Sequence, residues 1–187
     1  MSTYKIIFAG PVGAGKTTSI AAISDIEPFA TEEYATDEVR DLKDKTTVAM
    51  DYGLMQLANG EHIHLYGVPG QARFDFRWEI IIEGGIGLVL LLNHANPRPL
   101  EERAFYLDAF KDFIERTALA VGVTRMQPGS GPALDDYAAV LAQRGLRAPV
   151  FEVDGRKPED VITLVQSLLY TLDPGLPAQA ELAGASA

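Results

Sequence analysis

Gly10-Pro11-Val12-Gly13-Ala14-Gly15-Lys16-Thr17 sets a glycine, four free positions and then Gly-Lys-Thr in one short run. Residues of these types at this spacing can wrap a chain of phosphates. The amides of Gly13, Ala14 and Gly15 converge on the oxygens, Lys16 neutralises the β and γ charges, and Thr17 offers its hydroxyl to Mg2+. Thr18 is counted with the same nucleotide-binding residues. Such a loop needs a buried strand before it and a helix after it, whose positive end faces the anion. Lys5-Ile6-Ile7-Phe8-Ala9 reads as the strand and Thr18-Ser19-Ile20-Ala21-Ala22-Ile23 as the helix. The pattern points to a grip on a nucleoside triphosphate.

The elements that must position this loop follow from alternating short apolar runs and helical patterns, which predict an α/β fold. Strands are expected at Tyr4 to Ala9, Thr47 to Gln56, Ile63 to Tyr66, Ile86 to Leu92, Ala118 to Val123 and Val150 to Val153. Asn59-Gly60 predicts a tight hairpin with positive φ at both central positions, which makes one strand antiparallel. The expectation is a six-stranded, mostly parallel sheet with helices on both faces. Helices are expected at Gly15 to Ser24, Ala72 to Glu83, Leu100 to Arg116, Leu134 to Arg144 and Pro158 to Thr171. In the last of these, Val161, Leu164, Val165, Leu168 and Leu169 share one face, the mark of a sheet-packing surface.

At 187 residues and 47% hydrophobic, the chain suits one well-cored domain. That domain is expected over 1–173, with 174–187, rich in Ala, Pro and Gly, as a disordered tail. Ile80 to Leu92 is interrupted by Glu83, Gly84, Gly85 and Gly87, so no run reaches the roughly 18 apolar residues that cross a bilayer. With no basic-then-apolar leader, the expected location is cytoplasmic, without direct membrane insertion. The chain has no cysteine, which excludes disulfides, thiolate metal sites, and palmitoyl and prenyl anchors. The Met-Ser start lacks the glycine needed for myristoylation. A net charge of -10 opposes a polyanion, which argues against nucleic acid as a partner and leaves a basic protein surface open.

Leu65-Tyr66-Gly67-Val68-Pro69-Gly70-Gln71-Ala72-Arg73-Phe74 follows the third predicted strand. It resembles the switch II segment of Ras-like small GTPases. The resemblance implies a P-loop NTPase fold of the Ras-like G-domain type, in which the Gly70 amide senses the γ-phosphate and Gln71 orients the attacking water. Thr46-Thr47-Val48-Ala49-Met50 resembles the approach to the switch I threonine; Thr47 would complete the Mg2+ shell, with Thr46 the alternative. The Pro-Gly-Gln form is similar to the bacterial gliding-motility and polarity GTPases and their relatives encoded beside Roadblock/LC7 proteins. That likeness implies a GTP/GDP-bound molecular switch with a regulator or effector of Roadblock/LC7 type acting through the switch regions.

Departures from the family pattern carry their own expectations. Gly67 stands where the family places an aspartate that holds Mg2+ through water, so one outer-shell carboxylate is missing. Val12 puts a branched side chain into the phosphate loop, crowding the catalytic glutamine and any arginine delivered by a partner, so intrinsic hydrolysis is expected to be slow. Thr124-Arg125-Met126-Gln127 matches the Asn/Thr-Lys-x-Asp box that reads guanine, with Arg125 lying over the base. Gln127 replaces the aspartate of that box, at a cost of about 1.5 to 3 kcal/mol, or roughly ten- to a hundredfold in guanine affinity. Glu152-Val153-Asp154-Gly155-Arg156-Lys157 resembles the Ser-Ala-Lys segment, which places the Gly155 amide on the guanine oxygen and Asp154 among the nucleotide-binding residues.

Elsewhere the signals are weaker. Between the first helix and Thr47, eight acidic residues face Arg40, Lys43 and Lys45. That stretch suits either a landing site for a basic partner or a solvated loop, and Arg40 is a candidate arginine finger. Arg73, Phe74 and Arg77 are candidate partner contacts. His62, His64 and His94 have no acid or cysteine at ligand spacing and read as structural. Asp135-Asp136 reads as a helix start. A phosphotransferase with the same loop would need an arginine-rich lid, and only Arg98 and Arg103 lie between Arg77 and Lys111. The other alternative is a degenerate scaffold that holds nucleotides without useful turnover.

Overall fold

A computed structural model describes residues 3–30, 50–57, 59–68, 70, 81–127 and 129–173. The elements run β1 (Thr3–Ala9), α1 (Lys16–Ile23), β2 (Phe29–Ala30), β3 (Asp51–Gln56), β4 (His62–Gly67), β5 (Gly87–Asn93), α2 (Pro99–Ala109), α3 (Lys111–Ile114), β6 (Ala118–Thr124), α4 (Leu134–Gln143), β7 (Val150–Val153) and α5 (Pro158–Leu172). One sheet takes the order β2-β3-β4-β1-β5-β6-β7. The six predicted strands are present and mostly parallel, with β3 antiparallel to β4. A two-residue strand, β2, adds a seventh at the edge by pairing antiparallel with β3.

Alternation along the central strands builds a core on each face. Ile7 and Ala9 of β1 and Leu88, Leu90 and Leu92 of β5 join Tyr106, Leu107 and Phe110 of the α2 region and Tyr137 and Leu141 of α4. Ile6, Phe8, Val89 and Leu91 face the other way, onto Ile20 and Ile23 of α1 and Val161, Leu164, Val165 and Leu168 of α5. Strands covered on both faces read as continuous apolar runs, as β1 does from Ile6 to Ala9 and β5 from Leu88 to Leu92. Of the sheet-packing stripe expected on α5, Val161, Leu164, Val165 and Leu168 are buried and Leu169 is partly buried against the same core.

Two local expectations are corrected. The helix expected over Leu100 to Arg116 is two helices, α2 and α3, parted at Phe110, whose φ of -103° and ψ of 16° leave the helical region. The break keeps Phe110, Phe113 and Ile114 all buried against the sheet. At Asn59-Gly60, only Gly60 has positive φ, 82°. The loop is wider than a two-residue turn: Leu57 N–H bonds the Glu61 carbonyl at 2.8 Å, Gly60 N–H bonds that of Leu57 at 2.9 Å, and the Asn59 side chain accepts from Glu61 N–H at 3.0 Å. The α4 start is as expected, with Asp136 accepting from Ala133 N–H at 2.8 Å. Of the helix expected over Ala72 to Glu83, only 81–83 lie among the described residues, and the tail 174–187 lies outside them. No helix among the described residues is long and apolar enough to cross a membrane.

Candidate nucleotide site

The chain leaves β1 at the centre of the sheet, and the strand order reverses there, with β4 on one side of β1 and β5 on the other. In open α/β sheets the crevice beyond such a switch point receives the ligand. The glycine-rich loop stands in that place. Gly13 (φ 79°) and Gly15 (φ 93°) take left-handed backbone that a side chain would strain, and Gly15 caps α1 with no side-chain hydrogen bond. The first amides of α1 are thereby left for an incoming anion.

Lys16 is buried, and its ammonium donates to the carbonyls of Gly10 at 2.7 Å and Pro11 at 2.8 Å. Burial lowers its pKa from 10.5 to about 8, against the opposing pull of Asp51 and then Glu102. Both carboxylates therefore lie within electrostatic reach of the phosphate lysine. Burial in turn pushes the Glu102 carboxyl up, against the pull of Lys16, and its Oε1 accepts from the Asn96 side chain at 3.0 Å.

Asp51 is the residue that motif reading missed. It opens β3 and pairs with Gly67 at the end of β4. Its Oδ2 accepts from the Thr17 hydroxyl at 2.6 Å. A Cβ on Gly67 would fall 3.0 Å from the Asp51 Cβ and 3.1 Å from its Oδ2. The space beside Gly67 is thus filled by a carboxylate from the adjacent strand. The signal was present in the hairpin: five steps back from Gln56 and five forward from His62 meet at this pair.

Gly70 packs directly on the phosphate loop. A Cβ there would lie 2.5 Å from the Val12 nitrogen and 2.7 Å from the Pro11 carbonyl carbon. Its own carbonyl accepts from the Tyr106 hydroxyl at 3.0 Å, which ties α2 to this turn. No sequence signal marked Tyr106. The Val12 side chain stands 70% exposed beside that contact. Gln71, Thr46, Thr47, Arg40, Arg73, Phe74 and Arg77 lie outside the described residues.

A cleft of about 710 Å³ opens beyond the loop, lined by Ala14, Gly15 and Thr18 on one side and by Thr124, Arg125, Met126 and the 152–157 segment on the other. The predicted nucleotide-binding residues Thr124, Arg125, Asp154 and Gly155 are therefore brought together with the loop. The buried Thr124 hydroxyl donates within reach of the Ala14 carbonyl at 3.1 Å and the Leu92 carbonyl at 3.2 Å, so it braces the loop from β6. Arg125 holds φ 59°, the one positive value at a non-glycine residue among those described. Gln127 is exposed and does not line the cleft; its carbonyl accepts from Ser130 N–H at 3.2 Å.

Two of the three histidines contact tyrosine hydroxyls. Tyr52 Oη and His64 Nδ1 are 2.9 Å apart, and His94 Nδ1 and Tyr137 Oη are 3.0 Å apart. Arg103 is fully buried and donates to the Tyr137 carbonyl at 2.7 Å.

With this geometry in view, comparison with solved structures finds a bacterial selenocysteine-specific elongation factor, EF-Sec, at a TM-score of 0.61 and 21% identity, over 91% of this chain. The chain has a P-loop GTPase-like fold. It corresponds to 29% of the elongation factor's length, so the likeness is to one part of that protein. Among curated proteins, an uncharacterized protein of Methanocaldococcus jannaschii, MJ1339, is 32% identical over 88 residues, which take in 46% of this chain and 49% of that one. No family model matches the chain.

Proposed function

We propose that this chain is a GTP-binding molecular switch with slow intrinsic hydrolysis. The observation that carries the reading is the Thr17 hydroxyl paired with the Asp51 carboxylate at 2.6 Å, in the space beside Gly67. A hydroxyl at the end of a phosphate loop with a carboxylate oxygen behind it suits the inner and outer shells of a hard cation. Thr17 would hold Mg2+ directly and Asp51 would hold it through water, with Thr47 completing the shell. When bound, that ion neutralises charge on the β- and γ-phosphates.

The chain's own groups supply the rest. Lys16 leaves the Gly10 and Pro11 carbonyls for the phosphate oxygens, and the amides at the start of α1 accept the remaining charge. Gly70, pressed against the loop, is placed to report whether a γ-phosphate fills the space beside it. Gln71, next in the chain, orients a water; attack on the γ-phosphorus breaks its bond to the bridging oxygen and leaves GDP and phosphate. The exposed Val12 crowds that water's approach and the route of any arginine from a partner, which keeps turnover slow. A Roadblock/LC7-type regulator acting on the switch segments is the partner that the Pro69-Gly70-Gln71 likeness suggests.

Calorimetry with GTP, GDP and ATP, with and without Mg2+, tests the reading. Micromolar or tighter guanine nucleotide binding that strengthens with Mg2+ is expected. A parent that binds no nucleotide would end the proposal. Turnover in Gln71→Ala equal to that of the parent would remove Gln71 from the mechanism and leave a nucleotide-holding scaffold.

A further inference from the structure

Guanine and adenine present opposite patterns along the edge that a protein reads. Guanine offers an acceptor, O6, followed by a donor, N1–H, with a second donor on the 2-amino group; adenine offers a donor and then an acceptor. A site that prefers guanine needs a backbone donor beside an anionic acceptor. In this chain residue 127, where the family keeps that anion, is a neutral glutamine outside the cleft.

Among the described residues, three carboxylates line the cleft: Glu152, Asp154 and Asp160. Asp160 is engaged at the start of α5, its Oδ2 accepting from Asp154 N–H at 2.9 Å. Glu152 is exposed within β7, opposite Val123 and back from the strand end. Asp154 differs from both. It immediately precedes Gly155, whose Cβ, if present, would lie 2.5 Å from Ser19 Oγ and 3.5 Å from the Gly15 carbonyl, so this turn is pressed against the phosphate loop and α1. The Asp154 carboxylate is oriented by Arg156: Oδ1 accepts from Nε at 2.8 Å and from the backbone N–H at 3.1 Å, and Oδ2 accepts from Nη2 at 2.7 Å. The guanidinium holds it ionised, well below the usual carboxylate range. Each oxygen has two lone pairs, and when the Arg156 side chain, 80% exposed, swings aside, only the backbone N–H remains on Oδ1 and Oδ2 is free.

We infer that Asp154 is the base-reading acid of this site, its carboxylate accepting from N1–H and the 2-amino group of guanine while the Gly155 N–H donates to O6. Two consecutive residues thus present acceptor and donor in the order that fits guanine and clashes with adenine. The acid has moved from the loop after β6 to the turn after β7. This inference rests on the nucleotide-binding reading above and adds which residue selects the base.

The test is titration of the parent, Asp154→Asn and Glu152→Gln with GTP, XTP and ATP. A carboxamide turned to the base keeps one acceptor and gains a donor, which suits the 2-oxo group of xanthine. Asp154→Asn is expected to lose about tenfold or more in GTP affinity and gain about tenfold or more for XTP, with ATP unchanged. The gain for XTP separates base reading from damage to the turn. A parent that binds GTP beside an Asp154→Asn variant within about twofold of it for GTP and XTP would overturn this assignment alone. So would loss of GTP without gain of XTP, or the same swap appearing in Glu152→Gln. Absence of nucleotide binding by the parent would overturn both readings together.

Discussion

At the phosphate end of the cleft, the glycine-rich loop, the start of α1 and Gly70 meet through backbone atoms, at distances that leave no room for a side chain on Gly70. At the base end, the walls are side chains: Arg125, Met126 and the charged run from Glu152 to Lys157. A backbone-built site depends on glycines and on chain path, so it tolerates few substitutions and grips any triphosphate alike. A side-chain-built site can exchange its contacts one residue at a time. The same contrast appears within the phosphate end itself. Beside its backbone contacts stand side-chain ones, the Thr17 hydroxyl on the Asp51 carboxylate, which lies against Gly67 across the β3–β4 pair.

The largest effect expected from this contrast is at Lys16. Lys16→Ala removes the only buried ammonium described at the loop and should weaken GTP and ATP together by about a hundredfold or more, since charge-assisted contacts to phosphate contribute about 3 kcal/mol. Calorimetry would show it; a loss confined to GTP would break the division into a base-blind and a base-reading end. Next comes the Asp51 carboxylate. Asp51→Gly should cost about tenfold in Mg2+-dependent GTP affinity, and Gly67→Asp alone should destabilise the fold by about 1 to 3 kcal/mol, because its Cβ meets Asp51 and Ile20 at 3.0 Å. The double variant should recover both properties in part. Additive losses, read by thermal melts and Mg2+ titration, would show that the two positions do not share one role.

The pH dependence is of similar size to the Asp51 effect. In the nucleotide-free protein Lys16 loses its proton near pH 8, and the bound form needs the ammonium, so binding takes up a proton. Affinity for GTP and for ATP should fall about tenfold between pH 7 and pH 9, and a flat profile would mean that Lys16 stays charged. The smallest effect is at the brace between the two ends. Thr124→Ala removes the hydroxyl that reaches the Ala14 and Leu92 carbonyls and should cost about 1 kcal/mol of stability in a denaturant titration, with base preference unchanged.

The hairpin shows why part of the site was hidden from the sequence. A two-residue turn at Asn59-Gly60 would pair Ala58 with Glu61 and set Asp51 opposite Val68. The observed loop pairs Gln56 with His62 and sets Asp51 opposite Gly67. One residue of register moves every side chain to the other face of a strand, so reading the turn too tightly hides the carboxylate from Thr17. The phosphate loop had no such ambiguity, because its function depends on neighbours within eight positions of the chain. The apolar stripe of α5 and the starts of α1 and α4 were legible for the same reason: each is set by local pattern.

The amino-acid sequence by itself determined the α/β class, the phosphate loop and the uncharged residues at 67 and 127, since these are properties of residues close together in the chain. The tertiary structure alone decided which distant groups meet at the loop. Asp51 reaches Thr17 across 34 positions because β3 and β4 pair in one register, and Tyr106 reaches Gly70 across 36 because α2 packs beside that turn. Gly155 approaches the loop because β7 closes the sheet edge next to β6. Such contacts are fixed by the packing of whole elements, and the energy that sets them is spread over two buried cores rather than held in any motif.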